Sequence, residues 1–176
     1  VAALCEEISA TGELVAIANY NTHKQVVIGG TTAGVAQAVT AIKAAHAASR
    51  VIPLAVSGAF HTALFAPAGR QLAPKLAATP VTDPTVPVIS NTTGQPFNAT
   101  TMRDVLARQL AVPTHFGTGL QSLVAQTGAQ ATLELGPGKT LTSFAKAEVP
   151  QLAHYHISNL TEYEAFVTEV VHGTAK

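Results

Sequence analysis

The chain has 176 residues, of which 47% are apolar and only 11% are charged, and its ten basic and ten acidic residues cancel. Without a basic excess, neither nucleic acid nor an anionic membrane surface is an expected partner. No apolar run approaches the roughly 20 residues of a membrane span. A single cysteine, Cys5, excludes an internal disulfide and fits the reducing cytoplasm, where we expect the protein.

The first part of the chain is predicted to follow the order helix, strand, strand, helix, strand. The predicted elements are a helix over 1–9, strands over 13–18 and 25–28, a helix from Thr31 or Thr32 to about Ser49, and a buried strand over 51–56. The polar residues 19–24 are predicted to connect the first two strands. This order is that of a ferredoxin-like βαββαβ unit without its first strand. We therefore expect the chain to begin late within a longer polypeptide.

The second part is predicted to alternate strands with helices, which is typical of an α/β fold with a largely parallel sheet. The predicted helices cover 62–78, 102–110, 116–126, 139–147 and 161–172, and the predicted strands cover 86–90, 131–135 and 154–157.

A histidine, His61, lies in the predicted loop between the strand 51–56 and the next helix. Loops at the carboxyl ends of strands are where α/β enzymes hold catalytic side chains. A neutral imidazole can take up a proton near pH 7 and return it. The plain alternative is a histidine that caps a helix or fills a loop, and the choice between the two depends on the surrounding residues.

Other polar residues are weaker candidates on their own. Gln109 lies at a predicted helix end, where a backbone carbonyl is free to accept a hydrogen bond from an imidazole N–H. Asn19 and Asn21 either close a turn with their own side chains or point their amides into a cleft, and the sequence favours neither interpretation over the other. His154 and His156 share one face of a strand, but no third ligand stands nearby, so we predict an exposed strand face and no metal site.

The chain contains no Gly-x-Ser-x-Gly segment, and no serine or cysteine in it has the setting of a nucleophile elbow. If His61 is a catalytic base, we therefore expect its nucleophile to lie outside these 176 residues.

Five ordered blocks resemble the malonyl-CoA:acyl carrier protein transacylase family over nearly the whole chain, to about Lys146. They are Asn19-Tyr20-Asn21 with Gln25-Val26-Val27-Ile28-Gly29-Gly30, Arg50 to Leu54 with Phe60-His61-Thr62, Val86 to Asn91, Arg108-Gln109-Leu110 with Pro113, and Glu134 to Lys139. Five blocks in the order of the family are specific evidence for this resemblance, whereas a single block would not be.

The resemblance implies the C-terminal part of an α/β-hydrolase-like large subdomain, 57–176, with an inserted ferredoxin-like small subdomain, 1–56, that lacks its first strand. It implies that His61 is the catalytic base and that the backbone at Gln109 orients it. Asn19 and Asn21 would line the cleft between the subdomains, and Phe60 would bear on acyl selectivity. The nucleophilic serine and the carboxylate-binding arginine of the family have no counterpart in this chain.

The implied reaction is transfer of a malonyl group from coenzyme A to the phosphopantetheine thiol of acyl carrier protein, in fatty-acid biosynthesis, through a seryl-enzyme intermediate and without a cofactor. The implied partners are malonyl-CoA, acyl carrier protein and the missing N-terminal part of the same polypeptide, and we expect the given chain alone to be inactive. Two alternatives stay open. One is an acyltransferase domain of a polyketide or fatty-acid megasynthase, and the other is a non-catalytic fragment that docks a carrier protein.

Overall fold

The computed structural model describes residues 1–173 and combines helices with strands in an α/β fold. The chain divides into two compact units, Val1–Gly119 and Leu120–Lys176. The predicted subdomain boundary after Val56 lies inside the first unit and stays a prediction.

A β-hairpin forms the sheet of the first unit. Strands β1 (Val15–Thr22) and β2 (Gln25–Gly30) are antiparallel, and a two-residue strand, β3 (Thr114–His115), pairs in parallel with β1 to give the order β2-β1-β3. The prediction of a polar connection over 19–24 was wrong. Residues 19–22 stay in β1 because their backbones pair with β2 on one side and β3 on the other, so the turn itself is only two residues long.

Two helices pack against this hairpin and close a small core. Helices α1 (Ala2–Ser9) and α2 (Thr32–Ala44) confirm that the two predicted helices exist, but α2 ends five residues before the predicted Ser49. The Thr31 side chain caps α2 by accepting a hydrogen bond from the Gly34 N–H at 3.0 Å. The core comprises Cys5, Val15, Ala38 and Ile42. Burial raises the pKa of the Cys5 thiol above its ordinary value.

Two predicted strands are absent from the described residues. Residues 51–56 form no ladder, and Ile52, Leu54 and Val56 are all more than half exposed. Residues 86–90 make one isolated antiparallel bridge, Ile89 with Pro96. Both predictions were wrong because apolar β-formers give a strand only where a second backbone offers a ladder of hydrogen bonds. Within residues 1–173 no backbone pairs with 51–56, and 86–90 is bonded only to the short tight turn that follows it, over 94–97.

The remainder of the first unit combines helices with irregular segments. A 3-10 turn, Ala63–Phe65, leads into α3 (Ala66–Ala78), and α4 (Met102–Arg108) packs beside α3. The two helices approach closely at Gly69, where a Cβ atom would stand 2.5 Å from the Ala107 carbonyl oxygen. Helix α5 (Phe116–Thr127) then runs from the end of the first unit into the second.

The second unit contains a two-stranded parallel sheet with helices after each strand. Strand β4 (Ala131–Leu135) pairs with β5 (Ala153–Ile157), β4 is followed by α6 (Thr140–Glu148), and β5 is followed by α7 (Leu160–Phe166) and a wide helical turn, Val167–Val171. The predicted helix 161–172 is thus confirmed as an α-helix up to Phe166, whereas residues 167–171 form the wider helical turn.

The burial of β4 is the reverse of the usual pattern. Its polar residues Thr132 and Glu134 are half-buried, whereas Leu133 and Leu135 on the opposite face are 42% and 72% exposed. The described part of this unit therefore leaves an apolar strand face open.

None of the helices between residues 1 and 173 combines the length and the apolar character needed to cross a bilayer.

Candidate active site

His61 adopts a left-handed backbone conformation, with φ at +61°. Such a conformation is disfavoured for a residue with a Cβ atom and costs about 1–2 kcal/mol unless the surroundings enforce it. One enforcing contact is the hydrogen bond that the His61 backbone N–H donates to the Leu110 carbonyl oxygen at 2.9 Å. The loop is therefore fastened to the residues that follow α4.

The imidazole ring is fastened to the same place. His61 Nδ1 lies 2.7 Å from the Gln109 backbone carbonyl oxygen. A carbonyl oxygen can only accept, so Nδ1 must carry the proton, and in the neutral ring the free electron pair is then on Nε2. Gln109 and Leu110 directly follow α4, where helix carbonyls have no partner within the helix. The end of α4 thus fixes both the backbone and the tautomer of His61.

Phe60, directly before His61, is 45% exposed. Its ring packs against Phe65, with ring centroids 4.3 Å apart and planes tilted by 35°. Gly58 leaves room for this pair, because a Cβ atom there would stand 2.9 Å from Phe65 Cζ. Phe60 therefore offers an apolar surface next to the histidine.

Asn19 lies within β1 and anchors β3. Its Nδ2 donates a hydrogen bond to Thr114 Oγ1 at 2.8 Å, and Thr114 is buried. Beside this bond the rings of Tyr20 and His115 stack, with centroids 4.9 Å apart and planes 9° apart. Asn21 is two positions further along β1 and is half-buried. The Asn19 amide thus bonds across the sheet and not to its own turn.

The His61 loop packs against the hairpin at Gly29 and Ala18. The Thr62 methyl group would lie 3.2 Å from a Cβ atom on Gly29, where Ala18 Cβ and Ala59 Cα are the next neighbours at 3.6 and 3.7 Å. Ala18 directly precedes Asn19, so the structure brings the strand that carries both asparagines to the loop that carries His61.

Three contributors to this site were not found from the sequence: the Leu110 carbonyl, Thr62 and Thr114. The Leu110 carbonyl shares the helix-end signal that drew attention to Gln109. Thr114 carries no local signal, because its partner Asn19 is 95 residues away in sequence. The Thr62 hydroxyl bonds the Ala59 carbonyl three residues earlier, a pattern that any threonine in a turn can offer.

The two histidines of β5 are in the second unit and have their own partners. His154 Nδ1 lies 2.8 Å from Thr132 Oγ1, and His156 Nε2 lies 3.2 Å from Glu162 Oε1. The prediction of an exposed strand face was wrong, since both are half-buried against these side chains. Among residues 1–173, no group of three His, Cys, Asp or Glu side chains could hold a metal ion.

The start of α6 is occupied by a carboxylate of the protein itself. Glu134 accepts hydrogen bonds from the backbone N–H groups of Leu141 and Thr142 at 3.2 and 2.7 Å and from the Thr142 hydroxyl at 2.5 Å. The Thr142 hydroxyl contributes most to holding the pKa of Glu134 below its ordinary value. Two N–H groups in the first turn of α6 are therefore satisfied by the protein itself.

Comparison with known proteins gives a consistent result. Residues 3–164 match the family described as the acyl transferase domain. The chain is 38% identical over 170 residues to the malonyl CoA-acyl carrier protein transacylase of Salmonella typhimurium, covering 96% of this chain and 54% of that protein.

Two solved structures are similar in three dimensions. One is MCAT from Streptococcus pneumoniae, with a TM-score of 0.90, 33% identity and coverage of 96% of this chain and 54% of that one. The other is a malonyl-transacylase in complex with its type II PKS acyl-carrier protein, with a TM-score of 0.87, 33% identity and coverage of 93% and 52%. The chain thus spans about half the length of the relatives that it matches.

Proposed function

Because this chain belongs to the acyl transferase domain family, we propose that it supplies the base of an enzyme that transfers malonyl from coenzyme A to the phosphopantetheine thiol of acyl carrier protein. The observation that carries the proposal is the 2.7 Å contact between His61 Nδ1 and the Gln109 carbonyl. This contact prepares one nitrogen of the ring to accept a proton, which is what acyl transfer requires of a base.

His61 Nε2 takes the proton from a serine hydroxyl as that oxygen attacks the malonyl thioester carbonyl. The tetrahedral intermediate collapses, the C–S bond breaks, and the imidazolium returns its proton to the coenzyme A thiolate. In the second half, Nε2 takes the proton of the phosphopantetheine thiol as its sulfur attacks the seryl ester carbonyl. The ester C–O bond then breaks, and the imidazolium returns its proton to the departing serine oxygen. The Gln109 carbonyl stabilises the imidazolium in both halves, in the place that a carboxylate takes in a Ser-His-Asp triad.

The serine is the nucleophile that this sequence does not contain. We propose that the polypeptide preceding Val1 carries it, together with the arginine that binds the malonyl carboxylate. The relatives support this, because nearly half of their length lies outside the match. In this arrangement 1–56 belongs to a ferredoxin-like insertion and 57–176 to an α/β-hydrolase-like subdomain, and the chain alone is inactive.

The remaining site residues shape the cleft. Asn19 and Asn21 line it from β1, and Phe60 restricts the space for the acyl group beside His61. The exposed ring of Phe60 supports this role, since a flat apolar side chain there disfavours a branch at the α-carbon of the acyl group. Side chains perform every step, so the reaction needs no cofactor, and we place it in the cytoplasm with fatty-acid biosynthesis.

A second candidate is the same transfer to the carrier protein of a polyketide pathway, with this chain as part of a megasynthase acyltransferase domain. A polyketide carrier protein as the acceptor is favoured by the similar structure that is bound to a type II PKS acyl-carrier protein. The two candidates differ in the acceptor and share the chemistry at His61.

The test is His61→Ala in the complete polypeptide, with malonyl-CoA and purified fatty-acid and polyketide carrier proteins as acceptors. We expect transfer to fall by roughly 10²–10⁴-fold, the usual contribution of a general base, with the melting temperature nearly unchanged. The matched control is His46→Ala, because His46 is also left-handed, with φ at +48°, but is exposed at the end of α2. Turnover of His61→Ala at the rate of the control would disprove the assignment.

A further inference from the structure

We infer that Thr62 is a positioning residue for His61. Its hydroxyl closes the turn 59–62 with a hydrogen bond, and its methyl group packs that turn against β2. The inference rests on the proposed role of His61 as the base. It concerns a side chain that touches neither substrate nor the reacting atoms and acts through its neighbour.

The hydroxyl of Thr62 replaces a backbone hydrogen bond in the turn. Thr62 Oγ1 donates to the Ala59 carbonyl oxygen at 2.6 Å, and Thr62 is 2% exposed. The bond joins residues three apart and encloses Phe60 and His61. Because the hydroxyl is excluded from water, no solvent molecule substitutes for it when it is removed.

The turn needs this closure because of the conformation of His61. Its left-handed backbone lies between Phe60 and an extended Thr62, with φ −128° and ψ 167°. The Leu110 carbonyl holds the His61 N–H, and the Gln109 carbonyl holds the ring. Both of these contacts join His61 to the residues after α4, whereas the Thr62 hydroxyl bonds Ala59 within the turn itself.

The methyl group of Thr62 fixes the position of the turn on the sheet. Gly29 lies in β2 and has no side chain, so the methyl group occupies the space that a side chain would fill. A Cβ atom at Gly29 would stand 3.2 Å from Thr62 Cγ2, which is tighter than an ordinary contact. The absence of a side chain at Gly29 therefore makes room for the Thr62 methyl group.

The primary variant is Thr62→Val in the complete polypeptide, since valine keeps the shape and removes the hydroxyl. We expect kcat for malonyl transfer to fall roughly 10- to 100-fold, as for a misplacement of the base by about 1 Å, while KM for malonyl-CoA stays within about threefold because Thr62 does not contact substrate. Thr62→Ser keeps the hydroxyl but loses the methyl group, so kcat should fall by clearly less than in Thr62→Val. The control is Thr79→Val, whose exposed hydroxyl also donates to a backbone carbonyl, that of Lys75 at 2.8 Å.

A spectroscopic measurement separates positioning from general stability. In wild-type protein labelled with ¹⁵N-histidine, the His61 ring should show the signature of a single Nδ1–H tautomer. Thr62→Val should shift it towards a mixture of tautomers, whereas Thr62→Ser and Thr79→Val should not. If Thr62→Val does not fold, Thr62→Ala introduces no new bulk at the turn and should give the same loss and the same spectral change.

The inference is overturned if folded Thr62→Val, or its alanine substitute, keeps both the wild-type kcat and the wild-type spectrum, or if Thr62→Ser loses as much as Thr62→Val. Failure of the proposed function has a different result. In that case wild type and His61→Ala would be equally inactive towards malonyl-CoA, and a tautomer change confined to Thr62→Val would still support the positioning role.

Discussion

Replacement of Gly69 by alanine tests whether the packing of two helices controls the base. Alanine in the middle of α3 should gain about 1 kcal/mol from helix propensity. The new Cβ atom would stand 2.5 Å from the Ala107 carbonyl oxygen, and an ordinary contact of roughly 3.5 Å requires α3 and α4 to separate by about 1 Å. Overpacking of this kind costs about 1–3 kcal/mol, so we expect a net loss of about 0–2 kcal/mol.

The effect on activity should exceed the effect on stability. Helix α4 ends beside Gln109 and Leu110, whose carbonyls hold His61 at 2.7 and 2.9 Å. A displacement of α4 by about 1 Å would break or lengthen both bonds, and a misplacement of that size reduces catalysis by about 100-fold. We therefore expect a loss of roughly 10- to 100-fold in kcat/KM and a fall in melting temperature of no more than about 8 °C, taking about 2–4 °C per kcal/mol.

The measurements are thermal unfolding and malonyl transfer by the complete polypeptide. The matched control is Gly119→Ala in α5, because a Cβ atom there meets the movable Ile89 side chain at 3.3 Å and no close backbone atom. It should change stability by no more than about 1 kcal/mol and leave transfer unaffected. A Gly69→Ala protein with wild-type activity, or with a raised melting temperature, would refute the reasoning.

Three further predictions concern the site and the two units. Gln109→Ala should keep kcat/KM within about threefold of wild type, because the contact uses the backbone carbonyl; a loss as large as that of His61→Ala would show that the side chain acts instead. Gly30→Ala should unfold the hairpin or lower stability by more than about 3 kcal/mol in urea denaturation, since backbone atoms of Leu14 would stand 2.1 Å away; a wild-type midpoint would contradict this. Thr142→Val should lower the melting temperature more at pH 7 than at pH 3, because the depressed pKa of Glu134 contributes stability above the ordinary carboxyl range that is lost as the pH falls through the folded-state pKa; an equal loss at both pH values would contradict the assignment.

Local signals in the sequence predicted the helices well. The Thr31 cap is a local bond between a side chain and a backbone N–H three residues later, so a few neighbouring residues suffice to predict it. The same holds for the strands 131–135 and 154–157, whose β-rich runs are bounded by glycines, asparagine or turns.

The failures have a common physical cause. Residues 51–56 have the composition of a buried strand, but composition does not supply a pairing partner, and none exists within the described residues. In the opposite direction, polar Asn19 remains in a strand because Thr114, 95 residues away in sequence, binds its amide. Tertiary contacts decided both outcomes against the local preference.

The contacts around His61 divide in the same way. A histidine in a loop before a helix is visible in the sequence, and the resemblance to a known family pointed to Gln109. The left-handed backbone of His61 and the Ala59 contact of Thr62 are visible only in the folded chain. No rule of spacing links residues 59–62 to the end of a helix nearly fifty positions later.

The open face of β4 has a practical consequence for anyone who produces this stretch by itself. Leu133 and Leu135 present adjoining apolar side chains to water on a strand, and such surfaces attract one another between molecules as concentration rises. Preparations of the isolated chain should therefore tend to self-associate. A Leu135→Lys substitution should reduce this self-association and so give a sample better suited to spectroscopy.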